Sequence, residues 1–334
     1  MTTPTRIMDL VAGVWSAETL ATAHNLGIFD QIAEYGPLTA EEVADRNAIE
    51  VRPADLLLST CAALGLLRHE DGRYHNTEIT NDYLVPGKRY YFGDAIRLFS
   101  GRYDTWLNLP EAVRKNAPVS WNPDTQDSLF HAEAPQATFW DGMHALSVYS
   151  ARCLGEVHDF TQHQRLLDIG GGGAAYDIEL CRTYPHLQTT IFDLPFAIER
   201  TSERVVQAGL QERIAFHEGD FLNDSELPTG HDVILLSMIL HDWAEETNRT
   251  LLEKCFAALP SGGSIIVSEL ILDDDRNGPP LAALMGINML VETWGKNYTA
   301  AEYRGWLSDA GFTSITQHTF DAPGANGVIV AKKD

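Results

Sequence analysis

Leu166-Leu167-Asp168-Ile169 runs directly into Gly170-Gly171-Gly172-Gly173. An apolar run that stops at glycines lets the backbone approach a bound molecule where a Cβ would clash. Two later apolar runs also end in acids, Ile191-Phe192-Asp193-Leu194-Pro195 and Glu218-Gly219-Asp220-Phe221. A dinucleotide loop sets a pyrophosphate on the N-terminus of the next helix. Here Asp168 precedes the glycines, where a carboxylate repels a pyrophosphate and attracts an ammonium or sulfonium. Asp193 lies 23 residues beyond Gly170, near the ~20 expected for a carboxylate that holds ribose hydroxyls. Asp220 can accept an adenine exocyclic amine while Phe221 packs on the ring. The ligand these types suit is a nucleoside with a positive tail and no phosphate, which describes S-adenosylmethionine. Asp168, Gly170, Gly172, Asp193, Leu194, Asp220 and Phe221 are the candidate donor-binding residues.

The segment Ser237-Met238-Ile239-Leu240-His241-Asp242-Trp243 closes a further apolar run. A His at the C-terminal end of a strand faces the crevice where open α/β sheets bind ligands. A phenol, with a pKa near ~10, is mostly protonated at neutral pH and a poor nucleophile. A neutral imidazole can take its proton, a contribution typically worth about 10²–10⁴-fold. Such a base needs its tautomer fixed by an acceptor on the other ring nitrogen. Ile266-Val267-Ser268-Glu269 ends the next run, and neighbouring strand ends bring Glu269 to His241. A lone His before Asp-Trp is often a packed structural residue; beside a donor pocket it reads as a base. On residue types alone, Glu269→Gln should cost less than His241→Ala, because the amide still offers an acceptor.

The elements that must position these groups divide the chain in two. Residues 5 to 160 read mainly as helices. Ile7–Leu26 is apolar at helical spacing. Thr39 is an N-cap with Glu42 as its capping-box partner. A helix over Pro53–Ala63 ends near Gly65, and Leu66–His75 forms a hairpin with Asp71-Gly72 at its turn. Helices followed by an Asp-Gly hairpin form a winged-helix pattern, best known for DNA binding. Glu41, Glu42, Asp45, Glu50 and Asp55 surround Arg46 and Arg52, whereas a phosphate-facing helix should be basic. The unit therefore reads as structural or dimer-forming. From about residue 165, strands over Arg165–Ile169, Thr189–Asp193, Arg213–His217, Asp232–Met238, Ser264–Leu270 and Gly327–Ala331 alternate with helices. Those helices are expected over Ala174–Tyr184, Pro195–Ala208, Ala244–Leu259, Pro280–Thr293 and Thr299–Ala310. This is a doubly wound α/β pattern.

Length and charge set outer limits. The 334 residues exceed one ordinary core. A net charge of −23 argues against nucleic acid and anionic membranes as partners. Cys61, Cys153, Cys181 and Cys255 are scattered without a CxxC, which reads as reduced thiols of a cytoplasmic protein and not as a zinc site. No metal is expected. The first residues show no signal-peptide pattern, and no apolar run reaches a membrane span.

The ordered set Leu167–Gly172, Ile191–Pro195, Gly219-Asp220-Phe221 and Leu240-His241-Asp242-Trp243 resembles the plant caffeate and animal hydroxyindole (acetylserotonin) O-methyltransferase family. Asp275-Arg276-Asn277-Gly278-Pro279, Asn288-Met289-Leu290-Val291, Gly295-Lys296 and Ala310-Gly311-Phe312 extend the resemblance over almost the whole chain. It implies a Rossmann-like methyltransferase sheet after a mainly helical, winged-helix-like dimerisation domain. The expected division is a dimerisation domain over 1–100, a helical segment over 101–160 that contributes to the acceptor pocket, and a donor-binding domain over 161–334. The resemblance further implies a homodimer, S-adenosylmethionine as donor, His241 as base, Glu269 as its orienting acid and a small aromatic acceptor. Acceptor-side positions are Phe139, Trp140, Met143, Met238, Asp242, Met289, Thr293 and Trp294. Ser237 stands on the donor side where plant members often carry Lys. Asn297, in Gly295-Lys296-Asn297-Tyr298-Thr299, replaces a second carboxylate that flanks the base in plant members. An amide there can bond a polar group of the acceptor, so a simple plant-type phenylpropanoid is not expected. The types leave carbon methylation of a phenol or keto acid open, and an idle ligand-binding dimer as well. A nicotinamide oxidoreductase is a more distant reading.

Overall fold

The computed structural model describes residues 3–122 and 137–334, apart from the side chain of Ala137. Residues 123–136, part of the segment expected over 101–160, lie outside the described residues. The chain separates into two compact units, Met1–Tyr103 and Asp104–Asp334.

The first unit carries α1 (Thr5–Val11), α2 (Gly13–Asn25), α3 (Ile28–Tyr35), α4 (Ala40–Asn47) and α5 (Val51–Ala63). The hairpin β1 (Leu67–Glu70) and β2 (Arg73–Asn76) follows, then α6 (Glu78–Tyr83) and α7 (Gly93–Ser100). The helix expected as one piece over Ile7–Leu26 is interrupted at Ala12, where ψ falls to −5° just before Gly13. Glycine is the poorest helix former after proline, so the break falls there. The capping box at α4 forms as expected: Glu42 N donates to Thr39 Oγ1 at 3.2 Å, and Thr39 N donates to Glu42 Oε2 at 2.8 Å. Asp71 and Gly72 both take positive φ, 50° and 75°, the backbone of the tight hairpin turn that Asp-Gly favours. Ile28, Phe29, Val43, Leu58, Leu67 and Tyr74 fill the core. Ile7, Leu10, Val14 and Trp15 remain exposed by 60% or more.

The single turn α8 (Tyr103–Trp106) straddles the division, and α9 (Leu109–Lys115) and α10 (Ala137–Val157) follow. The rest alternates: β3 (Arg165–Ile169), α11 (Ala175–Thr183), β4 (Gln188–Asp193), α12 (Pro195–Gln207), β5 (Ile214–Glu218), β6 (Val233–Ser237), α13 (Glu245–Ala258), β7 (Ser264–Glu269), α14 (Pro280–Glu292), α15 (Ala300–Asp309), β8 (Thr313–Thr319) and β9 (Gly327–Lys332). The sheet runs β5-β4-β3-β6-β7-β9-β8. β9 lies antiparallel to β7 and β8, and the other pairs are parallel. The order reverses between β3 and β6, and a crevice opens outside the carboxyl ends at such a point. Alternate residues bury on opposite faces. Leu167, Ile169, Leu236 and Val267 join one core, with Tyr303 and Trp306 of α15. Leu166, Leu235 and Ile266 join another, with Leu154 of α10 and Leu180 of α11. Each such side chain contributes about 1.5–3 kcal/mol on burial, so the strand ends are held on a rigid frame.

β8 was not expected from the sequence. Its TSITQHT has no apolar run, and all but two of its residues are exposed, because it forms the sheet edge beside β9. Side-chain pattern carries no signal for a strand held mainly by backbone pairing.

Candidate active site

The glycine loop leaves β3 in a backbone of alternating sign. Gly170, Gly172 and Ala174 have φ of 70°, 48° and 57°. Space is as restrictive as conformation: a Cβ on Gly170 would stand 2.4 Å from Ile239 Cδ1, and one on Gly172 3.2 Å from Trp140 Cζ3. Asp193, at the end of β4, is held at both oxygens. Oδ2 accepts from Gly172 N at 2.9 Å and Oδ1 from Leu194 N at 2.7 Å. Burial pushes its carboxyl up to about 6, against the pull of those two N–H groups. Ser237 ends β6 half-buried. Asp220 accepts from Leu222 N and the Asn223 amide, and Phe221 meets Trp243 edge-on at 5.8 Å.

Asp168 lies beneath the loop. It is 1% exposed, its carboxyl shares a hydrogen bond with that of Asp177, and a Cβ on Gly171 would stand 2.9 Å from Oδ2. Burial, with Asp177 beside it, pushes its carboxyl well above the usual range. The donor set of loop glycines, a preoriented Asp193 and half-buried Ser237 fits a nucleoside with a cationic tail. The Asp193 carboxylate beside the loop makes the same place hostile to a pyrophosphate.

His241 sits in a 3-10 turn over Leu240–Asp242, just past β6. The turn is launched by Met238, whose φ of 54° is unusual for a non-glycine residue. Glu269 ends β7 fully buried. Its Oε1 accepts from Ile239 N and Leu240 N, both at 3.0 Å, and its Oε2 meets His241 Nδ1 at 2.6 Å. One carboxylate thus fixes both the turn and the ring. Nε2 points to the other side, 3.7 Å from Asp242 Oδ1. Burial pulls the imidazole down, but Glu269 and Asp242 outweigh it and carry His241 up to about 9. Asp242 is pushed up to about 7 by burial; His241 opposes this, while Glu269 and Glu292 add to it.

Around this array the expected acceptor residues divide. Met238, Met289 and Thr293 are buried, and Ser147 of α10 donates to Met238 Sδ at 3.6 Å. Thr293 Oγ1 donates to Met289 O and accepts from Gly295 N. Trp294 is 46% exposed and meets Trp121 edge-on at 6.5 Å. Phe139 and Met143 are half-buried on α10. Trp140, expected on the acceptor side, has its ring against Gly172 of the donor loop and near Phe196. Asn297 is 1% exposed and donates to Leu270 O at 2.6 Å, while its Oδ1 has no partner. The sequence reading missed three residues that hold the loop from behind, His144, Thr201 and Arg204. They lie on α10 and α12 in no motif, so nothing local marks them. Among the described residues no group of three His, Cys, Asp or Glu could hold a metal ion, and no helix is long and apolar enough to cross a membrane.

A seven-strand sheet with one antiparallel strand near its edge, a glycine loop at its switch point and an acid on the second strand define a Rossmann-like, S-adenosylmethionine-dependent methyltransferase. The comparisons name the family within that class: residues 106–313 match the O-methyltransferase domain and residues 8–86 the O-methyltransferase dimerisation domain, and the chain belongs to the O-methyltransferase family. It is 46% identical to the 3-hydroxy-5-methyl-1-naphthoate 3-O-methyltransferase of Streptomyces sahachiroi, over 99% of this chain and 95% of that one. It is 34% identical to the acetylserotonin O-methyltransferase of Gallus gallus, over 93% of each. Among solved structures it resembles human N-acetylserotonin methyltransferase in complex with SAM, with a TM-score of 0.88 and 30% identity over 100% of this chain and 98% of that one.

Proposed function

We propose that this O-methyltransferase methylates a hydroxyl on a small fused-ring aromatic, with His241 as general base. The observation that carries the reading is the buried Glu269–His241–Asp242 array beside the glycine loop. When bound, S-adenosylmethionine supplies an electrophilic methyl group. Asp193, Leu194, Asp220 and Phe221 hold its nucleoside end, with Gly170, Gly172 and Ser237 along its tail and Asp168 supporting the loop from below. Met238, Met289, Thr293, Phe139, Met143 and Trp294 line the acceptor side. Trp140 stands between the two ligands, and Asn297 and Asp242 offer polar contacts.

Glu269 accepts the Nδ1 proton, so Nε2 is the nitrogen that receives the hydroxyl proton as the oxygen attacks. The paired carboxylates hold the resting ring as an imidazolium. It has to shed that proton first, and a positive charge in the adjoining crevice favours the neutral form. The fused-ring acceptor is inferred from the two relatives, whose names specify a naphthoate and an acetylserotonin. Exposed Leu10, Val14 and Trp15 of α1 and α2, inside the matched dimerisation segment, support a homodimer. We assign dimerisation to 1–100, an acceptor-side helical segment to 101–160, the donor domain to 161–334, and the cytoplasm as the compartment.

The test is turnover of S-adenosylmethionine with a panel of naphthols, hydroxynaphthoates, hydroxyindoles and monocyclic phenols, with products fragmented by mass spectrometry. A methyl ether on the fused-ring acceptors supports the reading. A carbon-bound methyl, or no turnover across the panel, overturns it.

A further inference from the structure

Two carbonyls of the glycine loop, those of Gly172 and Gly173, are held by side chains from outside the loop. Gly173 O accepts from His144 Nδ1 at 3.0 Å and from Arg204 Nη1 at 3.3 Å. Gly172 O accepts from Thr201 Oγ1. Arg204 Nη2 also pairs with Asp141 Oδ1 at 2.5 Å. His144 and Asp141 lie on α10, and Thr201 and Arg204 on α12, so two helices grip one loop.

The approach is close enough to dictate sequence. A Cβ on Gly173 would stand 3.0 Å from both Arg204 Nη1 and His144 Cβ. Gly173 is outside the positive-φ residues, so the crowding a side chain would meet there comes from the clamp and not from backbone conformation. Burial and the Arg204 charge hold His144 down at about 4. The ring is therefore neutral at working pH, with its Nδ1 proton on Gly173 O.

We propose that His144 and Arg204 are positioning residues that fix the Gly172–Gly173 backbone from behind and so set the donor site. Gly173 O belongs to the Gly173–Ala174 peptide, and Gly172 N, which donates to the Asp193 carboxylate, to the Gly171–Gly172 peptide. The Gly172–Gly173 peptide between them offers its carbonyl to Thr201 Oγ1. Release of the Gly173 carbonyl frees the loop to shift about the Gly172 and Gly173 backbone dihedrals, and a shift that carries Gly172 N away costs Asp193 one of the two N–H groups that aim it. Neither side chain has to touch the donor. The inference rests on the proposed donor role of Asp193.

The test is calorimetric affinity for S-adenosylhomocysteine, with steady-state kinetics beside it. His144→Leu and Arg204→Met should each weaken S-adenosylhomocysteine by roughly threefold to tenfold, the range for one lost hydrogen bond. They should raise KM for S-adenosylmethionine by a similar factor and change kcat little. His144→Asn places an amide N–H where Nδ1 stands and should recover affinity to within about twofold. Equal losses in His144→Asn and His144→Leu, or unchanged affinity in both His144→Leu and Arg204→Met with unaltered melting, would overturn the positioning role. Asp193→Asn separates the two layers. If it leaves affinity intact while the clamp variants weaken it, the role of Asp193 fails and the clamp acts on the loop alone.

Discussion

Glu269→Gln tests the base assignment most sharply. The carboxylate serves three donors at once: the N–H groups of Ile239 and Leu240 through Oε1, and His241 Nδ1 through Oε2. Glutamine has one carbonyl and one NH₂, so it cannot accept on both sides. If the carbonyl turns to the ring, two buried N–H groups face the NH₂ and lose their partner. At about 1–3 kcal/mol each, that costs roughly 2–6 kcal/mol. The cheaper arrangement keeps the carbonyl on the backbone pair and presents NH₂ to Nδ1. The ring then moves its proton to Nε2, the nitrogen that must accept. We therefore expect Glu269→Gln to lower kcat by about 10²–10⁴, as much as removing the base; loss of the orienting acid elsewhere has a comparable effect through the wrong tautomer. This exceeds the smaller loss that the residue types alone suggest. The assay is kcat at saturating donor with a weakly acidic phenol, alongside S-adenosylhomocysteine affinity, which should hold. The pH profile adds a sign. Glu269 raises the His241 pKa, so the wild-type ascending limb depends on that carboxylate. Any residual activity of the variant should rise at lower pH than wild type. Turnover within about tenfold of wild type, or an ascending limb displaced to higher pH, would refute the tautomer argument.

Three further outcomes follow from the same geometry. His241→Ala should cut kcat by about 10²–10⁴, with a smaller loss on phenols already ionised at assay pH; equal losses on acidic and weakly acidic phenols would make His241 a positioning residue. Asp193→Ala should weaken S-adenosylhomocysteine by roughly 1–3 kcal/mol, read by calorimetry, with unchanged affinity removing Asp193 from the donor site. Gly295→Ala would set a Cβ 2.0 Å from His241 O, so the chain there must move; a cost of about 1–3 kcal/mol should appear as a lower Tm with reduced kcat, and an unaltered Tm would show that the contact yields freely.

What could be read from the sequence is what short stretches encode. The capping box at Thr39 and Glu42, the Asp71-Gly72 turn and the apolar runs of β3, β4, β6 and β7 are decided by groups within a few residues of one another. The glycine loop, Asp193 and the His241–Glu269 pair were legible for a related reason: parallel strands put their C-terminal ends together, so position along the chain implies neighbourhood in space. The tertiary structure alone decided the rest. Trp140 and Met143 sit three residues apart on one helix, yet only packing places the Trp140 ring on Gly172. Asp168 lies two residues before the first loop glycine in sequence, but strand alternation turns its carboxyl under the loop beside Asp177. β8 is polar and exposed, and only its pairing with β9 makes it a strand. The grip of His144, Thr201 and Arg204 on the loop joins residues about 30 positions from their partners. The second task of Glu269, holding the backbone of the His241 turn, spans a similar interval. Such contacts are set by how helices and strands meet, and no local pattern of residue types encodes that meeting.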